Sequence, residues 1–173
     1  MLSAIVLATD ALTPLTAADA VVRTLSSLVP AAIEGLVRDV TLAGLMGGEL
    51  PHISDHAGCT LVESEDARSV LREAIAAARG PNIFIIRAGR APEAGFIEEI
   101  ADLLAARSAA ERGALLRERP ETLRARLFPG LAPSAGLVST RDVLMQLGAT
   151  SFASLARRAK PAVTLRARAR RVD

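Results

Sequence analysis

Short apolar segments that favour β-strands alternate along this chain with longer Ala- and Leu-rich segments that favour helices. Apolar runs of this length suit strands buried on both faces, and helical crossovers join such strands in parallel sheets. The predicted strands are residues 2–7, 37–43, 59–62 and 82–86, and the predicted helices are residues 17–36, 51–57, 64–79 and 92–106. The pattern therefore predicts an α/β fold: a Rossmann-like, mostly parallel sheet with helices on both faces.

Single residues mark where the predicted helices begin and end. Pro30 is expected to divide the first helix, because proline lacks the amide donor that a helix interior requires. Gly58 is expected to cap the second helix, while Ser64 begins the third and Gly80 ends it.

The pattern is looser after residue 106. Residues 107–127 are charged and predict a helix, residues 136–139 predict a strand, and residues 140–147 predict a helix that Gly148 caps. Residues 162–171 alternate strictly, with Arg166, Arg168 and Arg170 on one side. This alternation predicts a strand with one buried and one basic face, and an edge position would suit it.

Composition narrows the class of function. Half of the 173 residues are hydrophobic, which is enough for the core of a single domain. Only 2% are aromatic, four Phe with no Trp or Tyr. Proteins that bind RNA by stacking bases need aromatic platforms, so we expect no nucleic-acid partner.

The net charge of +2 conceals an uneven distribution. Residues 157–173 carry seven basic side chains against one acid, Asp173, which leaves residues 1–156 with a formal charge of −4. A basic end of this kind serves solubility, and it also suits contact with phosphates or with an anionic membrane surface. Peripheral membrane contact through the C-terminus therefore stays open.

The sequence predicts a cytoplasmic location. Cys59 is the only cysteine, so no intrachain disulfide forms and a reducing compartment fits. No basic side chain precedes the first apolar stretch, unlike in a secretory signal. The longest uncharged stretches, residues 127–140 and 143–156, are shorter than the roughly 20 residues of a membrane-spanning helix, so no transmembrane segment is expected.

His52, His56 and Cys59 are spaced as three zinc ligands would be on an unbroken helix. Gly58 is expected to break that helix. We therefore predict two exposed histidines and a buried thiol, with no metal site and no cofactor.

The order of segments over most of the chain resembles a known family, and one stretch carries the clearest match. Residues 74–80 form an Ala-rich segment that runs into the apolar residues 83–90 and closes with Gly95 and Phe96. This order resembles bacterial glycosyltransferase family 2, the nucleotide-diphosphate-sugar transferases with a GT-A fold. The resemblance implies a single domain, with residues 1–106 as the nucleotide-binding half and residues 107–173 as a reduced acceptor half.

The sequence departs from that family at its acidic positions. The aspartate that ends the family's second strand falls on Gly44, and only Glu49 keeps an acid nearby. The metal-binding aspartate falls on Gly89, with Arg87 where the family often has histidine. The general base falls near Ser151 and Phe152. Because a divalent ion needs carboxylate ligands, the resemblance implies a degenerate member, a pseudoenzyme whose metal-dependent catalysis is lost or impaired.

A retained ligand, a nucleotide-sugar, is predicted to lie over the strand ends. Arg87 would replace the metal by pairing with phosphate, unless Arg87 and Arg90 are only solvated loop residues. The predicted ligand-binding residues are Thr9, Asp10, Gly44, Glu49, Arg87, Gly89, Arg166 and Arg168; the catalytic residues are unknown.

Two alternatives stay open. One is an active transferase that needs no metal. The other is a noncatalytic scaffold that docks a partner or its own copy through residues 92–106 or the basic tail. An open crevice with Arg87 turned inward would favour binding, whereas a crevice filled by Leu45, Met46 or Phe152 would favour the scaffold.

Overall fold

The computed structural model describes residues 1–9, 14–106, 113–121, 127–128, 132–148 and 151–172. The strands are β1 (Leu2–Ala8), β2 (Val37–Leu45), β3 (Thr60–Ser64), β4 (Asn82–Arg87), β5 (Arg90–Pro92), β6 (Ala114–Glu118), β7 (Ser134–Thr140) and β8 (Val163–Arg171). The helices are α1 (Pro14–Ile33), α2 (Leu50–Ala57), α3 (Ala67–Ala77), α4 (Phe96–Ala105), α5 (Arg141–Leu147) and α6 (Phe152–Arg158). None of these helices has the length and hydropathy of a membrane span.

The described strands form one sheet in the order β3-β2-β1-β4-β7-β6-β8-β5. β1 pairs in parallel with β2 and β4, β2 with β3, and β6 with β8. β7 runs antiparallel to both β4 and β6, and β5 runs antiparallel to β8. The predicted α/β fold is confirmed, and both halves of the chain contribute strands to the same sheet.

Helices cover both faces of the sheet because β1 and β4 alternate two apolar side-chain sets. Leu2, Val6 and Phe84 pack on one face with residues of α1, α2 and α4. Ile5 and Ile85 pack on the other face with residues of α3, α5 and α6. Because the helices pack on the two faces of the sheet, the ends of the central strands are left for ligand binding.

Several predicted ends of helices and strands are confirmed. Gly58 and Gly148 end α2 and α5 in the left-handed conformation, with φ of 64° and 54°. In β8, Leu165 and Ala167 are buried while Arg166 is exposed, as the alternation predicts.

The largest correction concerns residues 107–127, where a helix was predicted and the described part contains β6. Ala114 and Leu116 are fully buried, and β6 lies between β7 and β8. The charged residues that flank this short run hide its strand character, and pairing on both sides decides its structure. Helix α6 was likewise not predicted.

Three helix ends also differ from the prediction. α1 continues through Pro30, because the buried residues Leu28 and Ala31 anchor its last turn on the sheet. Ser64 belongs to β3, and Asp66 caps α3 by accepting from the Arg68 amide at 3.0 Å. Pro92 ends the short strand β5, so α4 begins only at Phe96.

Gly80 has a different role from the predicted one, because α3 already ends at Ala77. Its amide donates to Ser3 Oγ at 2.7 Å, and a Cβ at this position would lie 2.9 Å from the same oxygen. Glycine is therefore required for the close approach of this turn to β1.

Candidate functional site: a basic cavity at the carboxyl edge of the sheet

The parallel strands bring four segments of the chain to one edge of the sheet. Thr9 follows β1, Gly44 lies near the end of β2, Arg87 ends β4 and Arg117 lies near the end of β6. Because these strands run in the same direction, their carboxyl ends meet, which is where open α/β sheets bind ligands. The sequence alone placed only the first three together.

A cavity of about 890 Å³ opens at this edge, between the strand ends and α6. Its wall contains Arg87, Arg117, Arg157 and Lys160, and no Asp or Glu is among the described residues that line it. The lining residues are Thr9, Ala67, Arg87, Leu115, Arg117, Pro133, Ser134, Ser151, Phe152, Ala153, Ala156, Arg157, Lys160, Pro161 and Thr164. The cavity therefore has the charge and size to hold an anionic ligand.

A buried carboxylate lies behind this wall. Glu118, whose side chain is 6% exposed, accepts from Arg90 Nε at 2.7 Å and lies 3.3 Å from Arg171 Nε. Arg87 Nη1 lies 3.7 Å from the same carboxylate. Glu118 therefore holds three arginine side chains together directly behind the wall of the cavity.

The structure places Gly44 under α2 rather than in an open site. A Cβ on Gly44 would overlap Leu50 Cδ1 and would lie 3.5 Å from the Cβ of Ala8. Leu50, the first residue of α2, therefore fills the space that an acidic side chain at position 44 would need. Glu49, directly before α2, is exposed and makes no capping hydrogen bond with its side chain.

Gly89 turns the chain from β4 back towards α1. Its φ is 78°, and its amide donates to Thr24 Oγ1 at 3.0 Å. Its carbonyl accepts from the Val172 amide at 3.1 Å. Glycine suits this left-handed position, and both polar groups of its backbone are occupied within the protein.

The remaining predicted residues lie apart from the cavity or outside the described chain. Asp10 lies outside the described residues. Arg166 and Arg168 belong to β8 and do not line the cavity. The Arg166 amide donates to the Glu99 carboxylate at 2.9 Å, which covers the outer edge of β8 beside α4, and Arg168 Nη1 donates to the Leu165 carbonyl at 2.8 Å.

Sequence reasoning missed Arg117, Glu118, Arg157 and Lys160 as members of one site. In the sequence, Arg157 and Lys160 belong to the basic stretch of residues 157–173. Arg117 lies in residues 107–127, whose composition predicts a helix. For Arg117 and Glu118, the sequence offers only the apolar run Ala114–Leu116 that precedes them. This run is too short for its periodicity to distinguish a strand from a helix.

The second large cavity, about 550 Å³, lies between α1 and α2 and is lined mainly by apolar side chains. His52, His56 and Cys59 lie in its wall, but His56 Nδ1 lies 2.8 Å from the His52 carbonyl oxygen and α2 ends before Cys59. Burial raises the pKa of the Cys59 thiol. Within the described ranges, no three His, Cys, Asp or Glu side chains are arranged to hold a metal ion.

The fold matches solved glycosyltransferases. Glucosyl-3-phosphoglycerate synthase from Mycobacterium tuberculosis, in complex with Mn²⁺, UDP and phosphoglyceric acid, aligns at a TM-score of 0.63 and 17% identity over 95% of this chain and 67% of that chain. Its complex with Mn²⁺, UDP-glucose and phosphoglyceric acid aligns at 0.62 and 16% identity, over 95% and 68%. The chain has the GT-A glycosyltransferase fold.

Another mycobacterial protein aligns on the same GT-A fold with a TM-score of 0.60 and 17% identity, over 99% of this chain and 64% of that one. No protein-family model and no curated protein sequence matches. The predicted fold is thus confirmed by structural likeness alone.

Among the described residues, those at the strand ends do not fit the divalent ion found in the GT-A synthase complexes. Hard cations bind carboxylate and carbonyl oxygens, but the positions that the family resemblance assigns to the metal carry a guanidinium at Arg87 and no side chain at Gly89. Arg87 lies 3.7 Å from the Glu118 carboxylate, which already pairs with Arg90 and Arg171. A cation here would face three arginines, so we derive no step through a metal.

Proposed function

We propose that this chain binds a nucleotide-diphosphate sugar in the basic cavity, through arginine instead of a divalent ion, and that metal-dependent transfer is lost. The observation that carries the proposal is the cavity at the carboxyl edge, whose described wall holds four cationic side chains and no acidic one. Solved proteins with the same fold bind UDP and UDP-glucose, which supports the ligand class.

Arg87 is the side chain that we assign to the diphosphate. It ends β4 at the position of the family's metal motif, lines the cavity and is 26% exposed. A guanidinium presents several N–H donors in a plane, which suits phosphate oxygens, and it keeps its charge at any physiological pH. Arg90 is more buried and donates to Glu118 and to the Gly89 carbonyl, so it supports the cluster from behind.

The proposed loss of metal-dependent transfer is supported by the residues near the position of the family's general base. A transferase needs a base within hydrogen-bond reach of the acceptor hydroxyl. Ser151, near which the family resemblance places the base, accepts from the Ser154 amide at 3.2 Å as the cap of α6. A serine hydroxyl is too weak a base at neutral pH, and Phe152 beside it is 5% exposed and packs into the core.

Two observations count against the scaffold alternative. The apolar residues Phe96, Ile100 and Leu103 of α4 are buried against the sheet, so this face of α4 does not await a partner. Leu45 and Met46 are 40% and 58% exposed and do not line the cavity, while Arg87 does. Phe152 contributes to the cavity wall without closing the opening.

The test is calorimetric titration of the protein with UDP-glucose and with GDP-mannose, with and without Mn²⁺. We expect one of these donors to bind with an affinity that Mn²⁺ does not improve. Arg87→Gln should weaken that binding about tenfold or more, because a charge-assisted hydrogen bond is lost. Arg158→Gln is the matched control, since Arg158 lies on α6 but outside the cavity.

Three results would contradict the proposal. Absence of binding by every donor would remove the nucleotide-sugar. Binding that requires Mn²⁺ would restore a metal site. Release of UDP from UDP-glucose on addition of an acceptor, without Mn²⁺, would show an active metal-independent transferase.

A further inference from the structure

A third cavity, of about 450 Å³, lies between α1 and the end of β8. Its described wall contains Arg23 and two serines of α1 together with Arg170, Arg171 and Val172, and no Asp or Glu. We call it the arginine cavity. It shares no described lining residue with the basic cavity at the carboxyl edge of the sheet. Its chemistry therefore favours an anionic group at a place separate from the proposed nucleotide site.

The arginines of this cavity differ in what they already contact. Arg171 Nε lies 3.3 Å from the Glu118 carboxylate, so part of the charge of Arg171 is offset within the protein. Within the described part of the chain, no residue forms an ion pair or a side-chain hydrogen bond with Arg23 or Arg170. The guanidinium groups of Arg23 and Arg170 are therefore the donors that a ligand of the arginine cavity can use.

The apolar cavity between α1 and α2 meets the arginine cavity at Ser26, which lines both. On the apolar side, Val22 and Val29 line the wall although they are 46% and 52% exposed. Exposed aliphatic side chains in a concave wall are typical of a groove that binds an apolar ligand. An apolar cavity of about 550 Å³ thus adjoins a cationic one on the same helix.

Ser26 gives the two cavities a crossing point over α1. Residues three and four apart are neighbours on a helix, so Val22, Ser26 and Val29 follow one another along a single face of α1. Serine is smaller than the two valines, and its Oγ donates to the Val22 carbonyl of its own helix at 2.9 Å. The surface of α1 is therefore lowest at Ser26, where an extended chain can pass from one cavity to the other.

We propose that the two cavities together bind a single-chain amphiphile with a carboxylate head group. The chain lies in the apolar cavity and crosses α1 at Ser26, and the carboxylate pairs with Arg23 and Arg170. A carboxylate fits because the planar fork of a guanidinium matches its two oxygens. The hydroxyls of Ser26 and Ser27 donate to carbonyls of α1, so the head group depends on the arginines. This binding is independent of the nucleotide in the basic cavity.

The probe is decanoate below its micellar concentration, titrated by calorimetry into the full chain, and we expect one molecule to bind per chain. Hexanoate should bind at least about tenfold more weakly, because burial of each further methylene strengthens binding by up to about fourfold. Decanol has a chain of the same length without the charge and should bind about fivefold more weakly or less. Saturation with UDP should leave the affinity for decanoate unchanged.

Two variants test the head group and the crossing point. Arg23→Gln should weaken decanoate binding about fivefold and leave decanol binding unchanged, because only the charge pair is lost. Arg158→Gln is its matched control, since Arg158 is exposed on α6 and lines none of the three cavities. Ser26→Trp should weaken decanoate binding about tenfold or more, because the indole ring blocks the passage over α1.

The matched control for Ser26→Trp is Ala101→Trp, which adds the same ring at an exposed position of α4 outside the three cavities. Ser26 is exposed as well, so both tryptophan variants should retain the fold, and equal urea midpoints for the two verify this.

Each of the following results would overturn the inference. Decanol binding as tightly as decanoate would remove the carboxylate subsite, and decyl phosphate binding more than about tenfold more tightly than decanoate would assign the head group to a phosphate. Unchanged decanoate affinity in Ser26→Trp would mean that the ligand does not cross α1. Displacement of decanoate by UDP would place it in the basic cavity. Cosedimentation with phosphatidylglycerol vesicles without binding of monomeric decanoate would assign this face of α1 to a membrane surface.

Discussion

The two large cavities of this protein differ in chemistry although both border the same sheet. The cavity at the carboxyl edge is lined by four cationic side chains and several hydroxyl groups. The cavity between α1 and α2 is lined mainly by Val, Leu, Ile and Ala side chains. Two histidines, Ser26 and Cys59 are the polar residues in its wall, and its described lining contains no Asp, Glu, Lys or Arg.

The difference follows from the positions of the cavities in the fold. Helices α1 and α2 must bury apolar faces on the sheet, so the crevice between them inherits apolar walls. The strand ends carry no such requirement, and the segments that follow them can present charge. The crevice between α1 and α2 has few polar groups to orient a ligand, whereas the basic cavity has cationic groups that select for anions.

The largest expected effect tests the charge cluster behind the basic cavity. Glu118→Ala should lower the free energy of unfolding by about 3–5 kcal/mol, because the buried Arg90 would lose the carboxylate to which its Nε donates. Urea denaturation measures this change. Glu121→Ala is the matched control: Glu121 is 62% exposed and lies 4.0 Å from Arg171, so it should cost less than about 1 kcal/mol. If both substitutions lower the free energy of unfolding by less than about 1 kcal/mol, the charge cluster around Glu118 does not stabilise the fold behind the cavity.

A second substitution tests how closely α2 packs against the end of β2. Gly44→Ala should lower the free energy of unfolding by about 1 kcal/mol, the low end for overpacking, because the new Cβ overlaps Leu50 Cδ1, the end of a side chain that can shift. In a Leu50→Ala background the extra cost of Gly44→Ala should largely disappear, which a double-mutant cycle measures. Additive costs would mean that Leu50 does not fill this space.

A third pair of substitutions compares the two cavities directly. Arg87→Leu should weaken UDP binding about tenfold or more, because it removes a cation from the basic wall. His56→Leu changes the wall of the apolar cavity and should alter UDP affinity by less than about twofold. Calorimetric titration measures the UDP affinity of both variants. If His56→Leu weakens UDP binding more than Arg87→Leu does, the nucleotide binds between α1 and α2.

The smallest effect concerns Cys59 in the wall of the apolar cavity. Burial raises the pKa of this thiol, so the folded state favours the neutral form. Alkylation by iodoacetamide at neutral pH should therefore be slower in the folded than in the urea-unfolded protein. The stability from this group is present below the unfolded pKa and is lost as pH rises through the higher folded pKa. Cys59→Ala should remove this loss of stability at alkaline pH. If the free energy of unfolding of the variant falls with rising pH as much as that of the wild type, the prediction is wrong.

The strands and helices of residues 1–106 could largely be predicted, because β1 and β4 are compact apolar runs and the helices between the strands are Ala- and Leu-rich. The three-residue strand β5 was missed, because it is too short to show a periodicity. The same reasoning failed at β6, where a five-residue strand lies among charged residues and is defined by its partners. For the site, Arg87 and Thr9 were predicted at the strand ends and do line the cavity. The opposite wall could not be predicted, because Arg117 belongs to β6 and Arg157 and Lys160 become its neighbours only through packing of α6.

By itself the sequence determined the α/β class, the positions of most strands and helices, and the absence of acidic side chains at Gly44 and Gly89. These features depend on local periodicity and residue identity. The tertiary structure alone decided that arginines and a lysine from β4, β6 and α6 surround one cavity, that Glu118 pairs with three arginines, and that Leu50 occupies the space beside Gly44. Contacts between residues far apart in the chain depend on strand order and helix packing, which no local pattern contains.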